Sequence, residues 1–489
     1  MSLDAGIGAN SADDANYVIT NSAKFEKDNV EWMHKTFAAD PTGYDADGRR
    51  ISTISMWVKR SEIGAAGIST IASWYPASGA ANNNTVYQMG FTNDDEFQIG
   101  LQSQYVYHTT RKFRDTSAWY HIVVRNDTTQ SAALDRVRIY VNGVQETEFS
   151  TNYVASLVAQ NFECAVTSGN TTVTRIGSLP SNSWHFSGYI AEVNVVCNLS
   201  LSPDSFGEVD STSGIWKPIE YKGDYNTNGF YLNFSDSSNL GVNGSGTGNF
   251  SLNNMSSVDQ ASDSPTNNFA TWQTNVKHHG TNTADFTFSE GGTSPLRNGG
   301  NVHVYCTSTM AMHSGKWYME YKVRDTTDHA YFGGSPITRV LFEQDNGYYL
   351  GQDGGGSIAY GVNAGNLYYW TGQHNQYTES NSTGDIIGVA LDKDNNKIAF
   401  SKNGTFMEGS NGVINNPSTP SSMHEVQPPP YVWAFGAYTQ SVEYQTNMGG
   451  FTNMTISSAE SDANGYGKFE YAPPTGYYAL CTQNLAEFG

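Results

Sequence analysis

Twice in this 489-residue chain a strand-like alternation runs straight into Asn-Gly. Arg136-Val-Arg-Ile-Tyr-Val141 sets Val137, Ile139 and Val141 on one face and ends at Asn142-Gly143. Lys397-Ile-Ala-Phe-Ser-Lys402 ends at Asn403-Gly404 and returns through Thr405-Phe406. Both central residues of a type I′ turn need positive φ, which Asn and Gly tolerate best, so each segment predicts a β-hairpin. A hairpin buries only one face, and it must find further strands and a second sheet to become stable.

Those further strands are legible. Ile54, Met56 and Val58 alternate in one segment, and Trp317, Met319, Tyr321 and Val323 in another. Trp119 to Arg125, Tyr189 to Val196 and Asp385 to Leu391 are apolar enough to lie inside a sheet. Charged residues make up only 15% of the chain, against about 25% in an average soluble protein. Asn, Ser, Thr, Gly and Tyr fill the difference, and no long Leu/Ala/Glu/Lys stretch offers a helix. The expectation is an all-β protein of two antiparallel sandwiches. Residues 1–223 form the first with an N-terminal arm, and 301–450 the second. Between them, 224–300 is rich in Asn, Ser and Gly and predicts an irregular linker. Residues 451–489 contain Pro473-Pro474, which bars a central strand and predicts an extended segment docking on a neighbour.

Composition removes several function classes. Lys and Arg number 26 against 47 Asp and Glu, a net charge of −21, which repels phosphate backbones and argues against nucleic-acid partners. Cys164, Cys197, Cys306 and Cys481 are too sparse for a disulfide scaffold, and free buried thiols are expected. No basic and apolar leader opens the sequence, and no run of about 20 apolar residues predicts membrane insertion. Synthesis in a cytosol is therefore expected.

Particular phrases carry a family resemblance. Ile54-Ser-Met-Trp-Val-Lys-Arg-Ser61, Ala118-Trp-Tyr-His-Ile-Val-Val124, Arg136-Val-Arg-Ile-Tyr-Val-Asn-Gly143 and Phe186-Ser-Gly-Tyr-Ile-Ala-Glu-Val193 resemble a laminin-G/concanavalin-A-like jelly roll. Gly315-Lys-Trp-Tyr-Met-Glu320, Gly384-Asp-Ile-Ile-Gly-Val-Ala-Leu-Asp392 and Phe400-Ser-Lys-Asn-Gly404 resemble a SPRY domain, itself a concanavalin-like sandwich. The connecting phrases Leu201-Ser-Pro-Asp-Ser-Phe-Gly-Glu208, Gly229-Phe-Tyr-Leu-Asn-Phe-Ser-Asp236 and Pro473-Pro-Thr-Gly-Tyr-Tyr-Ala-Leu-Cys-Thr-Gln-Asn484 look like those of virion structural proteins in marine tailed phages. The resemblance implies a virion location and a structural, tail-fibre-like or host-recognition role.

Concanavalin-like sandwiches include glycoside hydrolases, whose retaining members need two carboxyl groups about 5–5.5 Å apart. The nearest motif is Glu208-Val-Asp210, in a Pro/Ser/Gly-rich loop with no second Glu after it. His278-His279 would point to opposite faces of a strand, Asp392-Lys-Asp394-Asn-Asn396 lacks the Glu of a calcium loop, and no HExxH, Walker, GxGxxG or GxSxG motif occurs. Neither a metal nor a cofactor is expected. Gly244-Ser-Gly-Thr-Gly248 and Pro428-Pro-Pro-Tyr431 are read as loop and lead-in. The remaining candidates are aromatic clusters in predicted loops: Trp74 and Tyr75, Tyr348 and Tyr349, and Tyr368, Tyr369 and Trp370. Aromatic rings stack on the apolar faces of sugars and anchor interfaces, although neighbours in a strand would face opposite ways and half would be core.

The functional expectation is a non-enzymatic phage virion protein, a tail-appendage or fibre-type component. Its partners would be host surface glycans or other virion proteins, and it would work as a homo-oligomer. A capsid decoration or head-fibre protein with a purely structural task is the alternative. A polysaccharide-degrading enzyme is the third reading, disfavoured by the missing carboxylate pair.

Overall fold

The computed structural model describes residues 17–37, 49–77, 86–101, 104–167, 172–179, 183–246, 248–274, 285–298, 303–325, 329–337, 350–351, 356–362, 365–369, 372–374, 377, 380–409, 413–428, 430–438 and 443–489. The protein is all-β, with two sandwich units, Asp13–Thr266 and Asn267–Gly489.

In the first unit one sheet runs, neighbour to neighbour, Val144–Gln145, Val137–Val141, Tyr120–Asp127, Ile51–Arg60, Gly188–Cys197, Ser22–Phe25 and Gln260–Ala261. Phe230–Leu232 also pairs with Gly188–Cys197. The second sheet runs Phe149–Asn152, Gln104–Lys112, Glu96–Leu101, Tyr87–Phe91, Ser69–Pro76, Thr172–Ile176, Trp32–Thr36 and Ser251–Asn253. The alternation read from sequence decides which side chains meet. Ile54, Met56, Val58, Ile122, Val124 and Ile190 of the first sheet share one core with Met89, Phe91, Phe97 and Ile99 of the second. Asn142 and Gly143 have φ of 48° and 78° between paired strands, as a type I′ turn requires.

The far face of the first sheet is covered by the chain that follows it. Val123, Tyr140 and Val196 pack under Phe206, Leu201, Tyr221 and Tyr225. Lys59 and the Trp119 indole bind Asp263 at 2.7 and 2.9 Å, all three buried.

The second unit repeats the plan. One sheet runs Val304–Met312, Tyr431–Ala437, Ala330–Pro336, Ile358–Gly361, Asn366–Tyr369 and Gly372–His374. The other runs Thr405–Phe406, Lys397–Lys402, Ile386–Asp392, Lys316–Lys322 and Gln445–Asn447, with His424–Glu425 and Tyr478–Ala479 attached. Trp317, Met319, Tyr321, Val389 and Phe400 of this sheet meet Phe332, Ile358, Trp433 and Phe435 of the other. Asn403 and Gly404 again turn with φ of 49° and 80°.

Two boundaries differ from the sequence reading. The described residues of 224–300 are not a linker. The first part of this stretch belongs to the first sandwich, where Phe230, Leu232, Phe234, Leu240 and Phe250 fill the core. Its Asn and Asp residues close local turns between these anchors: Asn233, Asp236, Asn239 and Asn243 each accept the backbone N–H two residues on, at 2.9–3.2 Å. Such turns need short polar side chains, and they hide a sparse apolar pattern. The later part begins the second unit, with Trp272 and Phe286 in its core. At the other end, residues 451–489 dock on their own unit. Phe469, Tyr477, Ala479 and Cys481 pack on Tyr318, Ala390 and Ala399, Tyr478–Ala479 pairs in parallel with Lys316–Lys322, and a helix, Thr482–Phe488, closes the chain.

Candidate functional site

Several buried cationic and acidic groups in the first unit are ion-paired. Lys24 sits 2.9 Å from both Glu31 and Asp259, and Arg60 binds Asp95 at 3.0 Å. The two carboxyl groups at Lys24 are close together but enclosed, with side chains 3–4% exposed, and a single ammonium holds both. Glu208 and Asp210 share Lys217 at 3.4 and 3.2 Å, and Asp210 also caps the turn at Thr212 and Ser213.

Ser55 Oγ lies 2.8 Å from His121 Nε2, a spacing that suits a nucleophile and its base. The third partner reverses the chemistry. The Trp216 indole N–H donates to His121 Nδ1 at 2.8 Å, and an indole can only donate. Nδ1 must therefore offer its lone pair, and Nε2 carries the proton and donates it to Ser55. Burial holds the imidazole neutral, its pKa pushed down to about 3. This imidazole cannot accept the Ser55 proton.

The far face of the second sheet is different. Tyr87-Gln-Met-Gly-Phe91 and Phe97-Gln-Ile-Gly-Leu101 carry the same Gln-x-Gly spacing, and antiparallel pairing sets each Gln opposite the other's Gly: Gln88 with Gly100, Gly90 with Gln98. A Cβ at Gly100 would stand 2.8 Å from Gln88 Nε2, so the amide occupies the space a side chain would take. One line of paired residues runs Thr70, Gly90, Gln98, His108. The next runs His34, Arg175, Ser73, Gln88, Gly100, Tyr105.

Several polar atoms here meet no hydrogen-bond partner among the described residues: Thr70 Oγ1, both amide atoms of Gln98, His108 Nε2, His34 Nδ1 and Trp32 Nε1. Thr70 is 0% and Gln98 1% exposed. Each such orphan costs about 1–3 kcal/mol when buried. His108 Nδ1 faces Glu96 at 3.5 Å and burial lowers its pKa, so neutral His108 presents an acceptor at Nε2. Glu96 also binds Lys112 at 2.8 Å. At the other end the Arg175 guanidinium lies 3.8 Å from the Trp32 ring centre and 5.5 Å from that of Tyr75. Burial, then the Arg175 charge, lowers the His34 pKa.

The aromatic candidates divide as follows. Trp74 and Tyr75 lie in the strand Ser69–Pro76, not a loop. Trp74 is fully buried and packs edge-on against Tyr87, whereas Tyr75 is half-buried against Arg175 on the far face. Tyr368 and Tyr369 also lie in a strand, Asn366–Tyr369. Tyr368 is buried against Tyr331 and covers Gly361. Tyr348, Tyr349 and Trp370 lie outside the described residues. For Trp74 and Tyr75 alternation within the strand explains the correction, since one ring of the pair enters the core, whereas Tyr368 packs with Tyr331, Leu350, Ala359 and Ala434 on the face opposite Leu367. Trp32, His34, Thr70, Gln98, Tyr105 and His108 were not anticipated. The available signal was a glutamine flanked by core residues in each of two adjacent segments.

Elsewhere, Asp392 accepts Asn395 N–H at 2.9 Å and Asp394 accepts Gly315 N–H at 2.7 Å, so that motif is a turn. His278-His279 lie outside the described residues. All four cysteines are buried free thiols. Among the described residues no three His, Cys, Asp or Glu side chains converge as metal ligands, and no helix is long and apolar enough to cross a membrane.

Each of the two units stacks two sheets around its own core. Residues 41–205 match the family described as the concanavalin A-like lectin/glucanases superfamily, and residues 316–420 match the SPRY domain family. The chain thus carries a laminin-G-like, concanavalin-like domain and a SPRY domain, which are mostly binding or structural domains. No curated protein matches it. Solved structures similar to it include the SPRY domain of human HERC1, 18% identical, covering 32% of this chain and 87% of that one with a TM-score of 0.25. A heptameric SAP-like pentraxin from Limulus polyphemus is 15% identical, covering 38% and 80% with a TM-score of 0.26. A human SPRY domain is 17% identical, covering 32% and 91% with a TM-score of 0.22.

Proposed function

We propose that this protein is a non-catalytic recognition component of a bacteriophage virion, of tail-appendage type, which binds host surface glycans through the far face of the second sheet. The observation that carries the binding assignment is that face itself. Its accessible edges carry Tyr105 at one end and Tyr75 and His34 beside the Arg175 guanidinium at the other, and the Glu96 carboxylate on it is already ion-paired, while Thr70 and Gln98 in its middle are buried. Uncharged hydroxyl-rich ligands pair with such groups and stack on such rings. Many copies on one particle would multiply a weak site by avidity. The absence of catalysis is supported by the reversed Ser55–His121 pair and by carboxylates neutralised at Lys24 and Lys217. The virion assignment rests on the connecting phrases around Leu201, Gly229 and Pro473.

The test is direct. Purified protein should bind host-envelope polysaccharide and release no reducing ends from it; release would overturn the non-catalytic reading. Immunogold labelling of intact particles should decorate the tail. Label over the head would replace a recognition role with capsid decoration, and unlabelled particles would remove the virion assignment.

A further inference from the structure

Two buried lysines stand near one another on the far face of the first sheet. Lys24 and Lys59 pair with Tyr189 from opposite sides, and each is 1% exposed. The segment that ends the unit brings one aspartate to each: Asp259 lies 2.9 Å from Lys24 Nζ, and Asp263 lies 2.7 Å from Lys59 Nζ. Ala23 pairs with Gln260, and the same antiparallel register carried one residue on sets Lys24 opposite Asp259. The two sites differ in their third member. At Lys24 it is Glu31, both of whose oxygens lie 2.9 Å from Nζ. Glu31 is itself held by the Glu26 N–H at 2.8 Å and the Asn29 amide at 3.0 Å. At Asp263 it is the Trp119 indole, which donates to Oδ1 at 2.9 Å and can take up no proton. Burial pushes the Glu31 carboxyl up to about 7 against the pull of Lys24, so it can both take and give a proton near neutrality.

We infer that Lys24 and Asp259 condense into an isopeptide bond once the first unit has folded, with Glu31 carrying the protons. The fold holds amine and carboxyl in contact, which removes the entropy cost of bringing them together. Lys24 Nζ passes a proton to Glu31 and attacks Asp259 Cγ. The Nζ–Cγ bond forms and the Cγ–Oδ1 bond breaks. Two of the three ammonium protons travel through Glu31 to Oδ1, which leaves as water, and the third stays on the amide nitrogen. Glu31 ends as it began, and the balance needs no outside reactant. Asp259 Oδ2 already accepts the Ser256 N–H at 2.8 Å, so a backbone donor polarises the oxygen that becomes the amide carbonyl. A neutral amide also replaces two charges whose side chains are 1% and 4% exposed. Lys59 and Asp263 remain an ion pair, because the indole beside them cannot relay protons. The bond joins residues near the two ends of the unit Asp13–Thr266. Tension applied at those ends would pass through it and bypass the sheets between. The reaction occurs once, within the chain, and is independent of any ligand the protein binds.

Intact-mass spectrometry of the full chain, folded and then denatured, reads the bond directly. The wild type is expected to weigh one water less than its sequence requires. Protease digestion should yield a branched peptide joining Lys24 to Asp259, with Lys59 and Asp263 in unlinked peptides. Full mass in the wild type overturns the proposal, and so does a lost water that maps anywhere else. Glu31→Gln removes the proton carrier while keeping its shape, and that chain is expected to retain the full mass. A folded Glu31→Gln chain that still loses the water overturns the role given to Glu31. Should Glu31→Gln fail to fold, Glu31→Asp sets the carboxyl back by one methylene. The rate at which its linked fraction grows after pulse-labelled synthesis is expected to fall at least tenfold, and a rate equal to wild type refutes that role.

Discussion

Glu320 shows how a single residue can fasten a long segment. Its carboxylate is fully buried and accepts four hydrogen bonds. They come from Tyr471 N–H at 2.8 Å, Glu470 N–H at 2.9 Å, the Tyr318 hydroxyl and the Asn447 amide. Burial pushes its pKa up to about 7 against the pull of these donors. Glu320→Gln would turn two N–H donors toward an amide that also donates, costing about 3 kcal/mol. Limited proteolysis should then cut residues 451–489 faster than in the wild type; an unchanged rate would refute the anchoring role. Glu192 gives a pH prediction. It occupies a bulge with φ of 51°, takes the Tyr231 hydroxyl at 2.8 and 3.0 Å, and burial raises its pKa to about 7. Its native form holds a proton between about pH 4.5 and 7 that the unfolded chain has released. Its contribution is therefore complete below the unfolded value and is lost as pH rises through about 7. Buried His121 acts in the opposite direction over part of that range, so the useful quantity is a difference. Relative to Glu192→Gln, the wild type should gain stability between pH 8 and 5, by at most about 1.4 kcal/mol per pH unit. Chemical denaturation of both proteins across that range checks it.

Among elements, the two Asn-Gly hairpins share a feature that no local pattern reveals. A Cβ on Gly143 would stand 2.4 Å from the Trp216 ring, and one on Gly404 would stand 2.7 Å from the Tyr471 ring. Each turn glycine thus lies beneath an aromatic ring delivered by chain that comes later in sequence. The need for positive φ was readable from Asn-Gly itself, but the overlying ring was not. Gly143→Ala should destabilise the first unit more than strain at positive φ alone, by about 2–4 kcal/mol in sum. Trp216→Ala in the same background should recover part of the loss, measured as a double-mutant cycle by thermal melting. Strict additivity would show that ring and turn do not interact. The same scale explains the aromatic candidates. Trp74 and Tyr75 are equivalent as letters, and only the register of their strand sends one into the core and the other toward Arg175.

For the whole molecule, the division at Thr266 and Asn267 replaces the linker expected from composition. Each unit joins two sheets around its own core, so each contains what a domain needs to fold. A fragment covering Asp13–Thr266 should fold and melt cooperatively, whereas one ending at residue 223 should not. The shorter fragment lacks Phe230, Leu232, Phe234, Leu240 and Phe250, and losing even one large core side chain costs about 2–5 kcal/mol. Circular dichroism and calorimetry of both fragments decide the matter. A stable shorter fragment would return 224–266 to the status of a linker.

By itself the sequence determined the all-β class, the two-sandwich plan, the main strands with their inward faces, and both type I′ turns. These depend on a period of two and on φ preferences, which act over a few residues. Only the tertiary structure decided that the Asn-rich stretch belongs to the first core, that the C-terminal segment covers its own sheet, and that Thr70, Gln98 and His108 stand in one line. Strand register and long-range covering depend on pairings between distant segments, and no local window of residues contains that information.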